Sequence, residues 1–267
     1  MKEEIRAAAK KALKKGVLDD EIYNSDVIEA FVSPYEKSIE CHVDIPIRKL
    51  IALRRREFYA PCATWREAAL SLHCKGWDPF RADIVRYFTS DLMDKPFPAP
   101  GAEGELRIGF AGGAIYCKLG NHRAVAAKAW LAGNFGENEV FKKAKCFYRK
   151  IIPSLKDLMK RCLKEGSTLK YASVSTDHTY LRAHGICDLF MVKSKCSGFE
   201  IYELDNTLGT LTPIAPSENP IHRILRLDLR SKCARLKFEK IPVKLIETML
   251  DDSAADELLV ACRKASV

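Results

Sequence analysis

Tyr116-Cys-Lys-Leu-Gly-Asn-His-Arg-Ala-Val-Ala-Ala-Lys128 is the stretch whose reading decides the fold. It reads as a strand that runs into Gly120, followed by a helix from about His122 to Leu131, so a strand feeds a helix through one glycine. The first N–H groups of such a helix have no intrahelical acceptor and point one way. The aligned peptide dipoles add partial positive charge there, so an anion placed at that point meets several donors at once. Gly120 lets the backbone come close, and Asn121 is a good cap. His122 can donate a hydrogen bond or move a proton, and Arg123 can hold two phosphate oxygens with its fork. Small Ala124, Ala126 and Ala127 allow the helix to sit close to a sheet. The same residues also fit a plainer role, in which Asn121 caps a helix and His122 and Arg123 are exposed first-turn side chains.

Working outward from this turn, Leu106 to Phe110 and Ala114 to Leu119 read as short strands joined by the tight turn Ala111-Gly112-Gly113. Asp94 to Gly104, with three prolines and two glycines, reads as a loop. Ala82 to Phe88 is expected to be a strand. Thr64 and Glu67 have the spacing of a capping box, opening a helix from Trp65 to Lys75 that stops at Gly76. Lys49 to Arg56 reads as helix or loop. Ile39 to Ile47 alternates like a strand, and Pro46 places its end at a sheet edge. Residues 2–15 are strong helix formers halted by Gly16, with Ile5, Ala8, Ala9 and Leu13 as a narrow apolar stripe. Downstream, Phe141 to Ile151 returns as a strand, and a helix from Leu155 to Lys164 ends at Gly166. Strand-like pieces at Leu169 to Val174, Phe199 to Leu204, Ile224 to Leu229 and Ala234 to Phe238 precede a final helix, Ala254 to Ala265. The class is α/β (α+β): a helical extension over 1–38, a phosphate-binding domain over 39–152, and an α+β region over 168–267.

The 267 residues are 47% hydrophobic, enough for a sizeable core. The formal charge is +9, which favours polyanionic partners such as nucleic acid or nucleotide. The N-terminus is charged where a secretory signal needs an apolar run, and no stretch is long and apolar enough for a membrane span. Ten cysteines are therefore expected as free thiols in a reducing cytoplasm. There is no Cys-x-x-Cys pair. His178, His184, Cys187 and Cys196 come nearest to a metal set, but without a second clean pair they read as separate side chains, and no metal ligands are expected.

The succession Val43-Asp-Ile-Pro-Ile-Arg-Lys-Leu50, a helix ending at Gly76, a strand, a loop and Gly120-Asn-His-Arg123 resembles the ParB/sulfiredoxin-like superfamily. The resemblance covers about residues 40 to 151, under half of the chain. It implies that the turn binds the phosphate of a nucleotide or nucleic acid. Sulfiredoxin-like members place a catalytic cysteine where this chain has Asn121, so reduction of cysteine sulfinic acid is not expected. Partition-type members carry a helix-turn-helix after this fold, and none is evident beyond residue 152. Two branches remain: nucleic-acid-acting members, nucleases among them, and members resembling free-serine kinases. For such a protein the resemblance implies Mg²⁺ and a nucleotide (ATP, ADP or CTP) as cofactors, and a bacterial, plasmid or phage origin.

Arg54, Arg55, Arg56 and Glu57 fall after the first strand, where that superfamily lines its phosphate pocket. Glu57 is the candidate general base or Mg²⁺ ligand, against the alternative of a solvated charge run. Catalytic candidates are then Glu57, His122 and Arg123, and the phosphate-binding set is Gly120, Asn121, His122, Arg123, Arg54 and Lys118. Lys128 is expected to add positive potential beside Lys118. Asp78 and Asp83 are further acidic candidates, Asp78 with the look of a turn residue before Pro79. Asp177-His178 and Asp205-Asn206 read as loop features, and Trp65, Trp77 and Trp130 as packing residues. The expected function is a nucleic-acid-acting protein, a nuclease or DNA-modifying enzyme that binds backbone phosphate at the turn. The alternatives are a nucleotide-dependent phosphotransferase acting on a small hydroxyl compound or modified base, and a non-catalytic nucleotide-binding adaptor.

Overall fold

A computed structural model describes residues 1–54, 64–100, 104–174, 187–194, 198–216, 218 and 229–251, with isolated positions 253, 256, 257 and 260. It is mixed α/β with two sheets. Two compact units emerge: Met1–Glu29 with Ser38–Arg149 and Asp251–Val267, and Ala30–Lys37 with Lys150–Leu250.

The first unit contains α1 (Lys2–Lys11), β1 (Tyr23–Asn24), α2 (Ser25–Glu29), β2 (Ile39–Pro46), β3 (Leu50–Leu53), α3 (Trp65–Ser71), α4 (Arg81–Thr89), β4 (Arg107–Ala111), β5 (Ala114–Leu119), α5 (Asn121–Asn134) and β6 (Val140–Arg149). Its six strands lie in the order β1-β3-β5-β4-β6-β2. β3 is parallel to β1 and β5, β4 is antiparallel to β5 and parallel to β6, and β2 closes the far side antiparallel to β6. Alternation sends Ile108, Phe110, Cys117 and Cys146 into the core, where α5 packs beside α1, α3 and α4. The alanine-rich stretch of α5 permits that crowding, and a Cβ on Gly133 would lie 2.2 Å from the carbonyl oxygen of Ala8 in α1.

The second unit contains α6 (Pro153–Glu165), β7 (Thr168–Ser173), β8 (Asp188–Lys193), β9 (Phe199–Asp205), β10 (Thr210–Pro213), α7 (Leu229–Ala234), β11 (Glu239–Lys240) and α8 (Val243–Leu250). Its sheet is antiparallel, in the order β10-β9-β8-β7-β11. Pro153 opens α6 and left-handed Gly166 closes it. α6 packs on β7, β10 and α8, while Cys233 of α7 joins Leu189, Met191 and Ile201 in a small core.

Several expectations change. Ala82 to Phe88 is helical, not a strand. Ile84, Tyr87 and Phe88 are the buried positions of α4, a spacing of three and four. Lys49 to Arg56 holds a strand, β3, after a 3₁₀ turn at Ile47–Lys49, because the short apolar run Leu50-Ile-Ala-Leu53 is enclosed by two parallel neighbours. The capping box at Thr64 and Glu67 is present, but α3 ends at Ser71 instead of Lys75, with Leu72 already extended. α1 stops at Lys11, and the Arg66 guanidinium takes the carbonyls of Ala9 and Leu13 near its end while pairing with Asp19 at 2.6 Å. Ala234 to Phe238 is no strand, since Ala234 ends α7. β8 has no counterpart in the sequence reading. Ile224 to Leu229 and Ala254 to Ala265 fall largely outside the described residues, although Leu229 begins α7. Cys41 is disulfide-bonded, which overturns the expectation of ten free thiols, while Cys74, Cys117, Cys146 and Cys162 are free thiols. Among the described residues no helix is long and apolar enough to cross a membrane.

Candidate phosphate-binding site

The parallel strands β3 and β5 run side by side, Leu53 opposite Cys117. Beyond them the chain continues as Arg54 on one side and through Gly120 into α5 on the other. Gly120 is the N-cap residue, with φ 98° and ψ 39°, a left-handed conformation that favours glycine. Asn121 is therefore not the cap but the first helical residue. Its side-chain amide accepts from the Arg54 N–H at 3.3 Å and donates to the Arg54 carbonyl, fastening the end of β3 to the start of α5. The first-turn N–H groups of α5 thus open at the carboxyl ends of two adjacent parallel strands, where ligands of open α/β sheets are commonly held.

Arg123 departs from its expected solvent-facing position. It is 4% exposed, and its Nη1 donates to the Gly104 carbonyl at 2.7 Å. The guanidinium carbon lies 5.9 Å from the centre of the Phe97 ring. The side chain folds back over Gly120 so closely that a Cβ there would sit 2.0 Å from Arg123 Nε. A strong acceptor in the loop before β4 accounts for this inward turn. His122 is exposed, and partial desolvation, with His73 acting in the same direction, lowers its pKa.

Lys128 does not add potential at the turn either. It is 1% exposed, donates to the Leu50 carbonyl at 2.8 Å and lies 3.9 Å over the Trp65 ring. Burial pulls its pKa down to about 7, against the pull of Asp20 and Glu137 in the other direction.

Lys118 behaves differently. It precedes Gly120 by two residues and points to the sheet face opposite α5. There the register places Phe147, Gly109, Tyr116 and Ala52 in one row across the sheet. Lys118 Nζ lies 5.2 Å over the Phe147 ring, and the Arg107 guanidinium 6.0 Å from the same centre. Partial burial lowers the Lys118 pKa, followed by the positive charge of Arg149, with Arg54 and Arg107 adding to it and Glu29 opposing. Burial, with Glu29 beside it, raises the pKa of Tyr116 in the same row. On the β2 side, Lys145 binds Glu40 and Asp94 at 2.8 and 2.9 Å, and Arg107 binds Glu105 at 2.8 Å.

Thus Arg54, Lys118 and Gly120 of the expected phosphate set come together, while the side chains of Asn121 and Arg123 hold the protein itself. Glu57, Arg55 and Arg56 lie outside the described residues, as do Asp177, His178, His184 and Cys196. Among the described residues no group of three or more His, Cys, Asp or Glu is placed to hold a metal ion. Asp78 lies in a 3₁₀ turn, Asp83 pairs with Arg86 at 3.3 Å, and Asp205 accepts from the N–H groups of Thr207 and Leu208. Trp65 and Trp77 are buried, and Trp130 packs on Phe88 and Phe135. The sequence reading missed Arg107, Phe147 and Arg149. The signal was the alternation of Lys145, Phe147 and Arg149 with buried Cys146 and Tyr148. The chain matches no protein-family model, no curated protein and no solved structure among those compared.

Proposed function

We propose that this protein acts on nucleic acid and binds its backbone phosphate at the start of α5. The observation that carries the reading is the gathering of Arg54, tied to Asn121 at that helix start, with Lys118 two residues before Gly120 and Arg107 near the same Phe147 ring as Lys118. Burial, and then the neighbouring arginines, lower the proton affinity of Lys118, and a bound polyanion relieves the repulsion among these charges. The first-turn N–H groups, which have no acceptor within the helix, and the helix dipole add donors at the same place. The net charge of +9 agrees with a polyanionic partner. The ParB/sulfiredoxin-like resemblance points to the same turn, and in this reading Asn121 and Arg123 shape the phosphate cradle through the backbone.

The test is a titration of fluorescently labelled DNA at several salt concentrations, with wild type, Arg54→Ala and Lys118→Ala. Binding should weaken steeply with salt. Each variant should reduce the slope of log K against log salt by about 0.7 to 0.9, one counterion released fewer. No binding by wild type at low salt, or slopes unchanged in both variants, would overturn the assignment.

A further inference from the structure

We infer that the corner of the first unit where α1 and α5 both end docks on an anionic lipid surface. Leu13 and Phe135 enter the headgroup layer there, and Lys10, Lys11, Lys14 and Lys15 hold its acidic headgroups. The inference goes beyond the phosphate-binding reading and uses none of its residues.

Two contacts fix the corner. The Ala8 carbonyl of α1 lies against Gly133 of α5, where no Cβ would fit, and the Val17 N–H donates to the Glu137 carboxylate at 2.9 Å. Leu13 lies between Ala8 and Val17, and Phe135 between Gly133 and Glu137, so both side chains belong to one end of the unit. They are 65% and 58% exposed. Neither hangs on a loose end. The Leu13 carbonyl accepts from Arg66 at 2.8 Å, and the Phe135 ring packs on Trp130 with centroids 5.4 Å apart. A held corner that leaves two large apolar side chains in water gains nothing for folding by doing so.

The charge around them is mostly positive. Lys10, Lys11, Lys14 and Lys15 are all exposed, and none forms an ion pair among the described residues. Two nearby acids are turned to the protein: Asp19 pairs with Arg66 at 2.6 Å and accepts from the Lys15 N–H at 2.7 Å, while Glu137 takes the Val17 N–H. Asp20 is exposed, one acid against four lysines. Lys10 and Lys11 suit the C-terminal end of a helix dipole, but Lys14 and Lys15 lie beyond α1, where the dipole gives no reason for them. Lys15 even takes a left-handed backbone, φ 60°, which glycine or asparagine would hold with less strain. Clustered lysines are drawn to the acidic headgroups of a membrane surface, and apolar side chains among them reach the acyl boundary beneath. A nucleic acid would recognise the lysines alone, since its phosphates offer nothing to an exposed leucine.

The full chain is sedimented with vesicles of phosphatidylcholine alone and of phosphatidylcholine mixed with phosphatidylserine, and is titrated separately against a labelled DNA duplex. It should bind the mixed vesicles and leave the neutral ones, with binding that weakens as salt rises. Lys14→Gln and Lys15→Gly should each weaken vesicle binding about fivefold, on the order of what one lysine contributes at an acidic surface. Glycine relieves the left-handed backbone, so Lys15→Gly should melt no lower than wild type, and misfolding cannot imitate the result. Leu13→Ser should lose about tenfold on the mixed vesicles and nothing on DNA, while Leu13→Phe should retain binding to both. Wild type that ignores the mixed vesicles, or Leu13→Ser with full vesicle binding, overturns the proposal. So does loss of DNA binding in Lys14→Gln and Lys15→Gly with vesicle binding intact, which would assign the corner to nucleic acid. The phosphate-binding reading stands or falls separately, on the DNA binding of Arg54→Ala and Lys118→Ala.

Discussion

Lys118 and Lys128 stand ten positions apart and end on opposite faces of the first unit's sheet. Both have pKa values below the ordinary lysine range, for different reasons. Lys128 is enclosed by the core and satisfied by one carbonyl and one indole ring. Lys118 is half-buried, and three of the four charged groups that act on it are arginines. On the helix side the protein supplies the acceptors for its own cations, Arg123 included. On the strand side Lys118 stands among arginines, of which Arg107 keeps Glu105 at 2.8 Å and Arg54 has Asp26 at 4.0 Å.

The largest effect concerns Lys128. Its folded-state pKa of about 7 lies below the unfolded value, so between the two the unfolded chain holds a proton that the folded chain lacks. Stability should then rise with pH above about 7, by about 1.4 kcal/mol per pH unit from this residue, until the unfolded lysine also deprotonates. Denaturant unfolding between neutral pH and about 9 measures the slope, in a window that reads the lower part of that rise. Lys128→Met should abolish most of it. A wild type as flat as the variant would break the contrast, because Lys128 would then be charged and solvated like a surface lysine.

Gly120 and Arg123 give the next largest effect. Gly120→Ala places a methyl 2.0 Å from Arg123 Nε in a left-handed backbone, and should cost about 2–3 kcal/mol. Arg123→Met removes the bond to the Gly104 carbonyl, at about 1–3 kcal/mol. The two costs should not add. With the guanidinium gone, Gly120→Ala should cost only the backbone strain of about 1–2 kcal/mol. Strict additivity in this double-mutant cycle would show that Arg123 does not lie over Gly120.

These residues also mark how far the sequence could be read. The strand–glycine–helix passage, the hairpin at Gly112-Gly113 and the capping box at Thr64 are local chemistry, legible because each is decided within a few residues. The direction taken by Arg123 or Lys128 was not. It depends on where Gly104 and Leu50 bring their carbonyls, contacts 19 and 78 residues away. α4 was misread because burial at Ile84, Tyr87 and Phe88 fits a helix, whereas the β-branched and aromatic residues alone suggest a strand. The cationic face needed the register itself: Lys118, Arg107 and Phe147 belong to three different strands, and no spacing along the chain brings them together.

The smallest expected effect is the one that separates a binding face from a structural one. Lys118→Met keeps most of the apolar stem and removes a charge that faces Arg149, Arg54 and Arg107, with Glu29 opposing. Stability should change by no more than about 0.5 kcal/mol, towards a more stable protein, and the gain should shrink as salt screens the repulsion. A thermal melt at low and high ionic strength reads both. A marked loss of stability would mean that Lys118 holds the sheet together, as Lys128 belongs to its core. A small gain in stability, coupled to weaker DNA binding, is what a residue kept for its ligand should show, since binding sites retain unfavourable charge that folding alone would discard.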